Sequence, residues 1–212
     1  MIDRLSSLKN IIFDFDGVIL DTVDIKTKVF SSLYAHESLD FQEYVVKYHL
    51  AHGGISRVKK IEHFEEVLSQ GDQVCENKIQ QKITEFTNLN LRKVLKADFI
   101  PGVLEFIKFK SNKSQLFVCS GVPEKELKLI IKKKKLEHYF KDIFGSPTGK
   151  RDIILSIIDK YDLLSSEVVF IGDSMTDYQA AIETGIQFIG IKNAFTEFPE
   201  SVTEITSFDD LM

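Results

Sequence analysis

Short apolar runs alternate with helical repeats through much of the chain, and this alternation limits the possible folds more than any other feature. Unbroken apolar runs are typical of strands covered on both faces, as in parallel sheets. Five runs predict such strands, at residues 11–13, 115–119, 142–144, 168–171 and 188–191. Apolar residues at helical spacing separate the later runs, with Pro101 and Pro123 at helix starts and Gly185 at a helix end. This order predicts an α/β fold with a doubly wound parallel sheet.

Residues 21–96 interrupt the alternation. Their apolar residues recur at helical spacing, as in Ile61, Phe64 and Leu68, and no strand pattern is visible. We therefore expect an α/β core domain of residues 1–20 and 97–212. An all-helical domain of about four helices, residues 21–96, is inserted after the first strand.

Composition excludes several classes of protein. The 212 residues include 27 Lys and Arg against 32 Asp and Glu, a formal charge of −5, which argues against a nucleic-acid partner. No apolar run approaches the roughly 20 residues of a membrane span, and the N-terminal apolar run is too short for a signal peptide. Cys75 and Cys119 stand apart from each other, as expected of idle thiols in a reducing compartment. These features predict a cytoplasmic protein with no membrane or nucleic-acid partner.

Acidic pairs follow two of the predicted strands. Asp14 and Asp16 come after the first strand beside Gly17, and Asp173 and Asp177 come after the fourth. One such pair alone would be explained by loop acids that cap a helix. Two pairs at the same edge of a doubly wound sheet would repel each other, by about 4 kcal/mol for unit charges ~4 Å apart near a surface. The cluster therefore requires a cation, and oxygen ligands without His or Cys favour Mg²⁺ over zinc.

Two other strand ends carry groups that suit an anion. Ser120 and Gly121 offer a hydroxyl and backbone N–H groups ahead of a helix, and Lys150 stands at the start of another helix. Together the four strand ends predict a Mg²⁺-assisted site for a phosphoryl group.

These segments resemble the haloacid dehalogenase superfamily over nearly the whole chain. Asp14-Phe15-Asp16-Gly17-Val18 fits the first family motif and Ser120 the second, while Lys150 fits the third and Gly172-Asp173-Ser174-Met175-Thr176-Asp177 the fourth. The helical insertion resembles the cap domain of the phosphoglycolate phosphatase and β-phosphoglucomutase-like subfamily.

The resemblance implies a role for each acidic residue. Asp14 would be the nucleophile that forms an aspartyl-phosphate, and Asp16 would be the general acid and base. Mg²⁺ would be held by the Asp14 carboxylate, the Asp16 backbone carbonyl and Asp173. Asp177 would support the metal through water or through Lys150.

The phosphoryl oxygens would be held by Ser120 and the Gly121 N–H, while Lys150 would offset the charge between phosphate and Asp14. Family dehalogenases lack an acid at the position of Asp16, so its presence favours phosphate esters. We expect a Mg²⁺-dependent phosphatase, monomer or homodimer, acting on a small phosphorylated metabolite such as a sugar phosphate or a phosphoglycolate-like acid. The alternatives are a sugar-phosphate mutase of the β-phosphoglucomutase type and a non-catalytic binding module.

The cap should select the substrate, because the four motifs contact only the phosphoryl group. In the glycine-containing segment at residues 52–57, Arg57 resembles the mutase arginine that binds a distal phosphate, and it could equally bind a carboxylate. In the alternative interpretation Ser56 caps a helix and Arg57 lies on a solvated face. Lys26 stands where such mutases carry a histidine, which leaves mutase activity in doubt. It could instead face the cleft and contact substrate, or lie exposed on its helix.

Three histidines lie in the predicted helical domain, at positions 49, 52 and 63. Their spacing places them on separate turns, which does not suit a metal site. We expect them to be surface residues.

Overall fold

A six-stranded parallel sheet forms the centre of the computed structural model, which describes residues 9–70 and 72–212. Its strands are β1 (Asn10–Phe13), β2 (Gln115–Pro123), β3 (Asp142–Ser146), β4 (Val168–Gly172), β5 (Gln187–Ile191) and β6 (Thr203–Ile205). They lie in the order β3-β2-β1-β4-β5-β6, and all neighbours are parallel. The predicted doubly wound α/β fold is therefore confirmed. The sequence pattern misses β6, because three residues with two polar side chains form no apolar run.

Eight α-helices accompany the sheet within the described residues. They are α1 (Val23–Leu33), α2 (Leu39–Ala51), α3 (Arg57–Ser69), α4 (Glu76–Val94), α5 (Val103–Lys110), α6 (Glu124–Lys133), α7 (Lys150–Lys160) and α8 (Met175–Thr184). Helices α1 to α4 fall inside the predicted insertion, while the division into two domains at residues 21–96 stays a prediction. The two ends of this helical region lie side by side, since the Asp21 N–H donates a hydrogen bond to the Asp98 carbonyl at 2.9 Å.

Helices cover both faces of the sheet, which explains the unbroken apolar runs. Ile11 and Phe13 of β1 belong to a core cluster with residues of α5 and α6, and Ile12 belongs to a second cluster with residues of α7 and α8. A third cluster lies among α1 to α4 and includes Phe30 and Phe64. Because all neighbouring strands are parallel, the residues that follow them lie at one edge of the sheet.

Two smaller expectations concern membranes and thiols. Among the helices of residues 9–70 and 72–212, none combines the length and apolar character needed to cross a membrane. Both cysteines are free, with Cys119 buried in β2 and Cys75 exposed just before α4.

Candidate active site

The turn after β1 places Asp14 next to the end of β4. Asp14 is 2% exposed, and its N–H donates to the Ile171 carbonyl at 2.9 Å, which extends the β1–β4 pairing by one residue. The chain then turns at Gly17, whose φ is +74°. A Cβ on Gly17 would lie 2.1 Å from Oδ2 of Asp173, so only glycine lets the two acidic segments approach this closely.

Three carboxylates converge at this edge with one lysine among them. Asp14, Asp173 and Asp177 each contribute an oxygen, and these oxygens all lie within 4.8 Å of one another. Lys150 Nζ is 3.1 Å from Oδ2 of Asp14 and 2.5 Å from Oδ1 of Asp177. The sequence prediction that these four residues meet therefore agrees with their positions in the structure.

The packing of charges changes the pKa values of the cluster. Burial raises the pKa of Asp14 to about 7, with Lys150 acting in the opposite direction. Burial, and then the charge of Asp14, also raises the pKa of Asp173 well above its usual range. Although burial acts to lower the pKa of Lys150, the carboxylates of Asp14 and Asp177 raise it. The cluster thus holds more negative charge than one lysine compensates.

The donor set fits Mg²⁺. It consists of carboxylate oxygens, which hard divalent cations prefer, and the metal-sized cluster found among the described residues contains no His or Cys. Oδ1 of Asp14 is buried and has no hydrogen-bond partner in the described part of the chain, so it is free to bind a cation or to react. Asp177 is fully buried, and its Oδ2 accepts hydrogen bonds from Ser174 N–H at 3.1 Å and Oγ at 2.5 Å.

The Asp16 side chain is not one of the three clustered carboxylates, although it lines the same cavity. Its carboxylate forms an ion pair with Lys26 of α1 and accepts a hydrogen bond from Thr22 Oγ1 at 2.6 Å. Burial acts to raise the pKa of Asp16, but Lys26 and Thr22 hold it below its usual range. Any contact of Asp16 with the metal would therefore use its backbone carbonyl. Lys26 lines the cavity, in line with the expectation that it faces the cleft. Its side chain is only 17% exposed and is paired with Asp16.

Ser120 and Gly121, which the sequence predicts to bind the phosphoryl group, lie in the last part of β2. Ser120 is 1% exposed, and its Oγ accepts a hydrogen bond from the Val122 N–H at 3.2 Å. Gly121 lines the same cavity as Asp14. A Cβ on Gly121 would lie 2.4 Å from the Gly54 carbonyl oxygen, so the loop before α3 sits directly over this strand end.

The helical region covers the site through this loop. Thr176 Oγ1 donates a hydrogen bond of 2.5 Å to the Gly53 carbonyl, and a Cβ on Gly53 would lie 2.8 Å from Ser174 Cβ. A Cβ on Gly54 would lie 2.9 Å from Lys150 Nζ. The two glycines therefore permit close contact between the loop and the acidic cluster.

Arg57 lies in the cavity wall with its charge already paired. Its two terminal nitrogens bind the Glu126 carboxylate of α6 in a bidentate pair, and the two side chains are only 9% and 10% exposed. The expectation that Ser56 caps α3 is confirmed, because its Oγ accepts from the Lys59 N–H at 3.4 Å. The accompanying expectation of a solvated Arg57 is wrong, because α3 turns this side chain toward α6.

The surface placement expected for the histidines is wrong for His49. This side chain is buried, and its Nδ1 is 2.8 Å from Nζ of Lys60, which is 2% exposed. His52 and His63 are half-buried, and both stack on the ring of Tyr48, with ring centroids 3.9 and 4.1 Å from it. Sequence reasoning missed Lys60, although its position three residues after Arg57 and one before Ile61 places it on the inward face of α3.

Comparison with known proteins decides the family. A model described as haloacid dehalogenase-like hydrolase matches residues 11–191. The chain belongs to this family. The resemblance drawn from the four motifs is thereby confirmed, and the protein is an enzyme of the hydrolase class that the motifs predict.

Individual relatives agree with this assignment. A phosphorylated carbohydrates phosphatase from Thermotoga maritima is 27% identical over 188 residues, which cover 86% of this chain and 84% of the relative. A Haemophilus somnus structure described as a predicted phosphoglycolate phosphatase has a TM-score of 0.77 at 17% identity and covers 97% of this chain and 96% of its own. For β-phosphoglucomutase from Clostridium difficile the TM-score is 0.76 at 18% identity, with 97% and 93% covered. At this identity the two structures show the shared fold.

Proposed function

We propose that the protein is a Mg²⁺-dependent phosphatase that hydrolyses a small phosphorylated carbohydrate or related metabolite through an aspartyl-phosphate at Asp14. The main support is the position of Asp14, buried between Lys150 and two further carboxylates with Oδ1 unpartnered among the described residues. The name of the Thermotoga maritima relative supports the substrate class. We also expect it to act in the cytoplasm, as a monomer or homodimer.

In the first half-reaction a carboxylate oxygen of Asp14 forms a bond to phosphorus while the ester P–O bond breaks. Asp16 protonates the leaving oxygen, and Ser120 and the Gly121 N–H hold the phosphoryl oxygens. Lys150 offsets the charge that builds up beside Asp14. Mg²⁺, held by Asp14, Asp173 and the Asp16 carbonyl, would supply the positive charge that lets a carboxylate approach a phosphate dianion.

In the second half-reaction water attacks the phosphorus of the aspartyl-phosphate, and Asp16 takes its proton. Asp16 has given up its proton in the first half-reaction, and the ion pair with Lys26 stabilises the resulting carboxylate, which is the form that this step requires. The proton taken from water returns Asp16 to the acid form for the next cycle. Inorganic phosphate and free Asp14 are the products. The loop at Gly53 and Gly54 limits the access of bulk water to this chemistry.

Asp14→Asn tests the covalent route. The amide keeps the shape of Asp14 but cannot form an acyl phosphate, so we expect release of phosphate from p-nitrophenyl phosphate and from a panel of phosphorylated sugars to fall at least roughly 1,000-fold. EDTA should abolish the activity of the unmodified enzyme, and Mg²⁺ should restore it. Asp159→Asn, at the exposed far end of α7, is the matched control and should retain full activity.

Turnover by Asp14→Asn protein comparable to that of the unmodified enzyme would contradict the covalent route. If the folded, unmodified protein hydrolysed no ester of the panel with Mg²⁺ present, the alternative of a non-catalytic binding module would replace the proposal.

A mutase is the second candidate, supported by the fold shared with the Clostridium difficile β-phosphoglucomutase. Two features oppose mutase activity. Lys26 stands at the position of the mutase histidine, and Arg57, the candidate ligand of a distal phosphate, already forms an ion pair with Glu126. NMR of the product formed from a hexose 1-phosphate separates the two activities, because a mutase yields an isomeric sugar phosphate and a phosphatase yields free sugar.

A further inference from the structure

One buried cation in the cavity wall has no role in the proposed reaction. The cavity is lined on the sheet side by Asp14, Asp16 and Asp173 and on the helical side by Lys26, Arg57 and Lys60. Lys26 pairs with Asp16, and Arg57 pairs with Glu126. Across residues 9–70 and 72–212, no carboxylate lies within ion-pair distance of Lys60.

Lys60 is held in place by His49. Its Nζ lies 2.8 Å from His49 Nδ1 and donates to the His49 carbonyl at 3.0 Å. With Lys60 protonated, Nδ1 must be the acceptor, so the imidazole is neutral and carries its proton on Nε2. These contacts use two of the three hydrogens of the ammonium and leave one for a ligand.

The surroundings make an uncompensated charge at this position costly. Lys60 is 2% exposed, and its Nζ lies 5.8 Å from the centre of the Phe30 ring. Leu50, Ile55 and Phe86 also line the cavity. A buried ammonium in such a wall is stabilised when an anion binds beside it, whereas a neutral hydroxyl would leave the charge uncompensated.

We propose that Lys60, held by His49, is a specificity-determining residue that binds a carboxylate on the leaving-group side of the substrate. The inference rests on the proposed function and narrows its substrate class to small phosphorylated hydroxy acids. One unpaired cation matches one monoanion. A second phosphate group would need further positive charge, and Lys26 and Arg57 are already neutralised by Asp16 and Glu126.

Two matched esters test the assignment by kinetics. 2-Phosphoglycolate and 2-hydroxyethyl phosphate have the same chain length and differ in a carboxylate against a hydroxymethyl group. In Lys60→Met we expect kcat/KM for phosphoglycolate to fall about 10- to 100-fold, as for loss of a charge-assisted hydrogen bond. The value for the hydroxyl ester should change less than about threefold. Lys59→Met, an exposed neighbour on α3, is the control and should change neither.

Equal losses for both esters would overturn the assignment, since Lys60 would then act on the shared phosphoryl group. No loss for either ester would also overturn it. A larger loss for ethane-1,2-diyl bisphosphate than for phosphoglycolate would identify a second-phosphate site instead. Thermal unfolding of Lys60→Met shows whether the variant is folded.

Binding provides a measurement that does not depend on turnover. In Asp14→Asn protein, calorimetry should give a Kd for phosphoglycolate that rises about 10- to 100-fold when Lys60→Met is added, with little change for the hydroxyl ester. If the unmodified protein hydrolyses neither ester but the Kd values follow this pattern, the proposed function fails and the carboxylate subsite stands. If hydrolysis occurs and the Kd pattern is absent, the subsite is overturned and the phosphatase stands.

Discussion

Two buried lysines show how neighbouring side chains set the properties of a residue. Lys150 lies between two carboxylates, which raise its pKa despite burial. Lys60 is also buried but faces a neutral imidazole, and burial lowers its pKa to about 7. Burial likewise lowers the pKa of His49 to about 2, so His49 stays neutral in the physiological range. The same residue type is thus a fixed cation at one position and a titratable group at the other.

Lys60→Met should stabilise the protein, and the gain should depend on pH. The folded pKa of Lys60 is about 7, below its unfolded value of 10.5. The burial penalty is therefore complete below pH 7 and disappears as the pH rises through 10.5. Across that window the advantage of the variant should shrink by at most about 1.4 kcal/mol per pH unit.

The free energy of urea unfolding at pH 6.5 and pH 9.5 measures this effect. Lys59→Met is the control, because it removes a lysine from an exposed position of the same helix. A difference between Lys60→Met and unmodified protein that stayed constant over this range would show that Lys60 does not titrate there.

At the scale of elements, the turn after β1 decides whether two strand ends can form one site. Gly17 has a φ of +74°, and its missing Cβ leaves room for the Asp173 carboxylate. Gly185, at the end of α8, has a similar φ of +68° but no atom within 4 Å of the position that a Cβ would take. An added Cβ would therefore cause backbone strain at both glycines but a steric clash only at Gly17.

Gly17→Ala should lower both stability and phosphatase activity, while Gly185→Ala should lower stability alone. The left-handed conformation costs roughly 1–2 kcal/mol for alanine in both variants. Only in Gly17→Ala must Asp173 also move. Urea unfolding and kcat/KM for p-nitrophenyl phosphate measure the two effects, and equal activity in the two variants would contradict the steric argument.

At the scale of the whole molecule, the Arg57–Glu126 pair connects α3 of the helical region with α6 beside the sheet. Both charges are buried, so removing one partner leaves the other without compensation. The pair lies in the same cavity wall as the proposed carboxylate subsite. We therefore expect it to influence both the covering of the site and the charge that a substrate meets there.

A double-mutant cycle measures this connection. Arg57→Met and Glu126→Met should each destabilise the protein by about 3–5 kcal/mol, and the double variant by less than their sum. We expect a coupling energy of about 1–3 kcal/mol from urea unfolding. The Lys128–Glu124 pair on α6, whose side chains are 48% and 39% exposed, is the control and should give below about 0.5 kcal/mol. A similar value for both pairs would show that Arg57–Glu126 does not hold the two regions together.

The sequence by itself determined the α/β fold, the family and the residues of the acidic cluster. These features have local signals: apolar runs mark buried strands, and in a parallel sheet the residues that follow the strands must meet at one edge. Asp14, Asp173 and Lys150 could be placed together before any coordinates, because the topology leaves their segments no other arrangement.

Only the tertiary structure decided how the helical region meets that edge. The partners of Arg57, Lys26 and Lys60 lie on other elements, and no periodic pattern specifies which charged group an inward-facing lysine or arginine will meet. His49 was misplaced for the same reason, since its burial follows from the packing of α2 against α1. Packing between elements is a property of the assembled surfaces, and it sets which charged groups line the cavity.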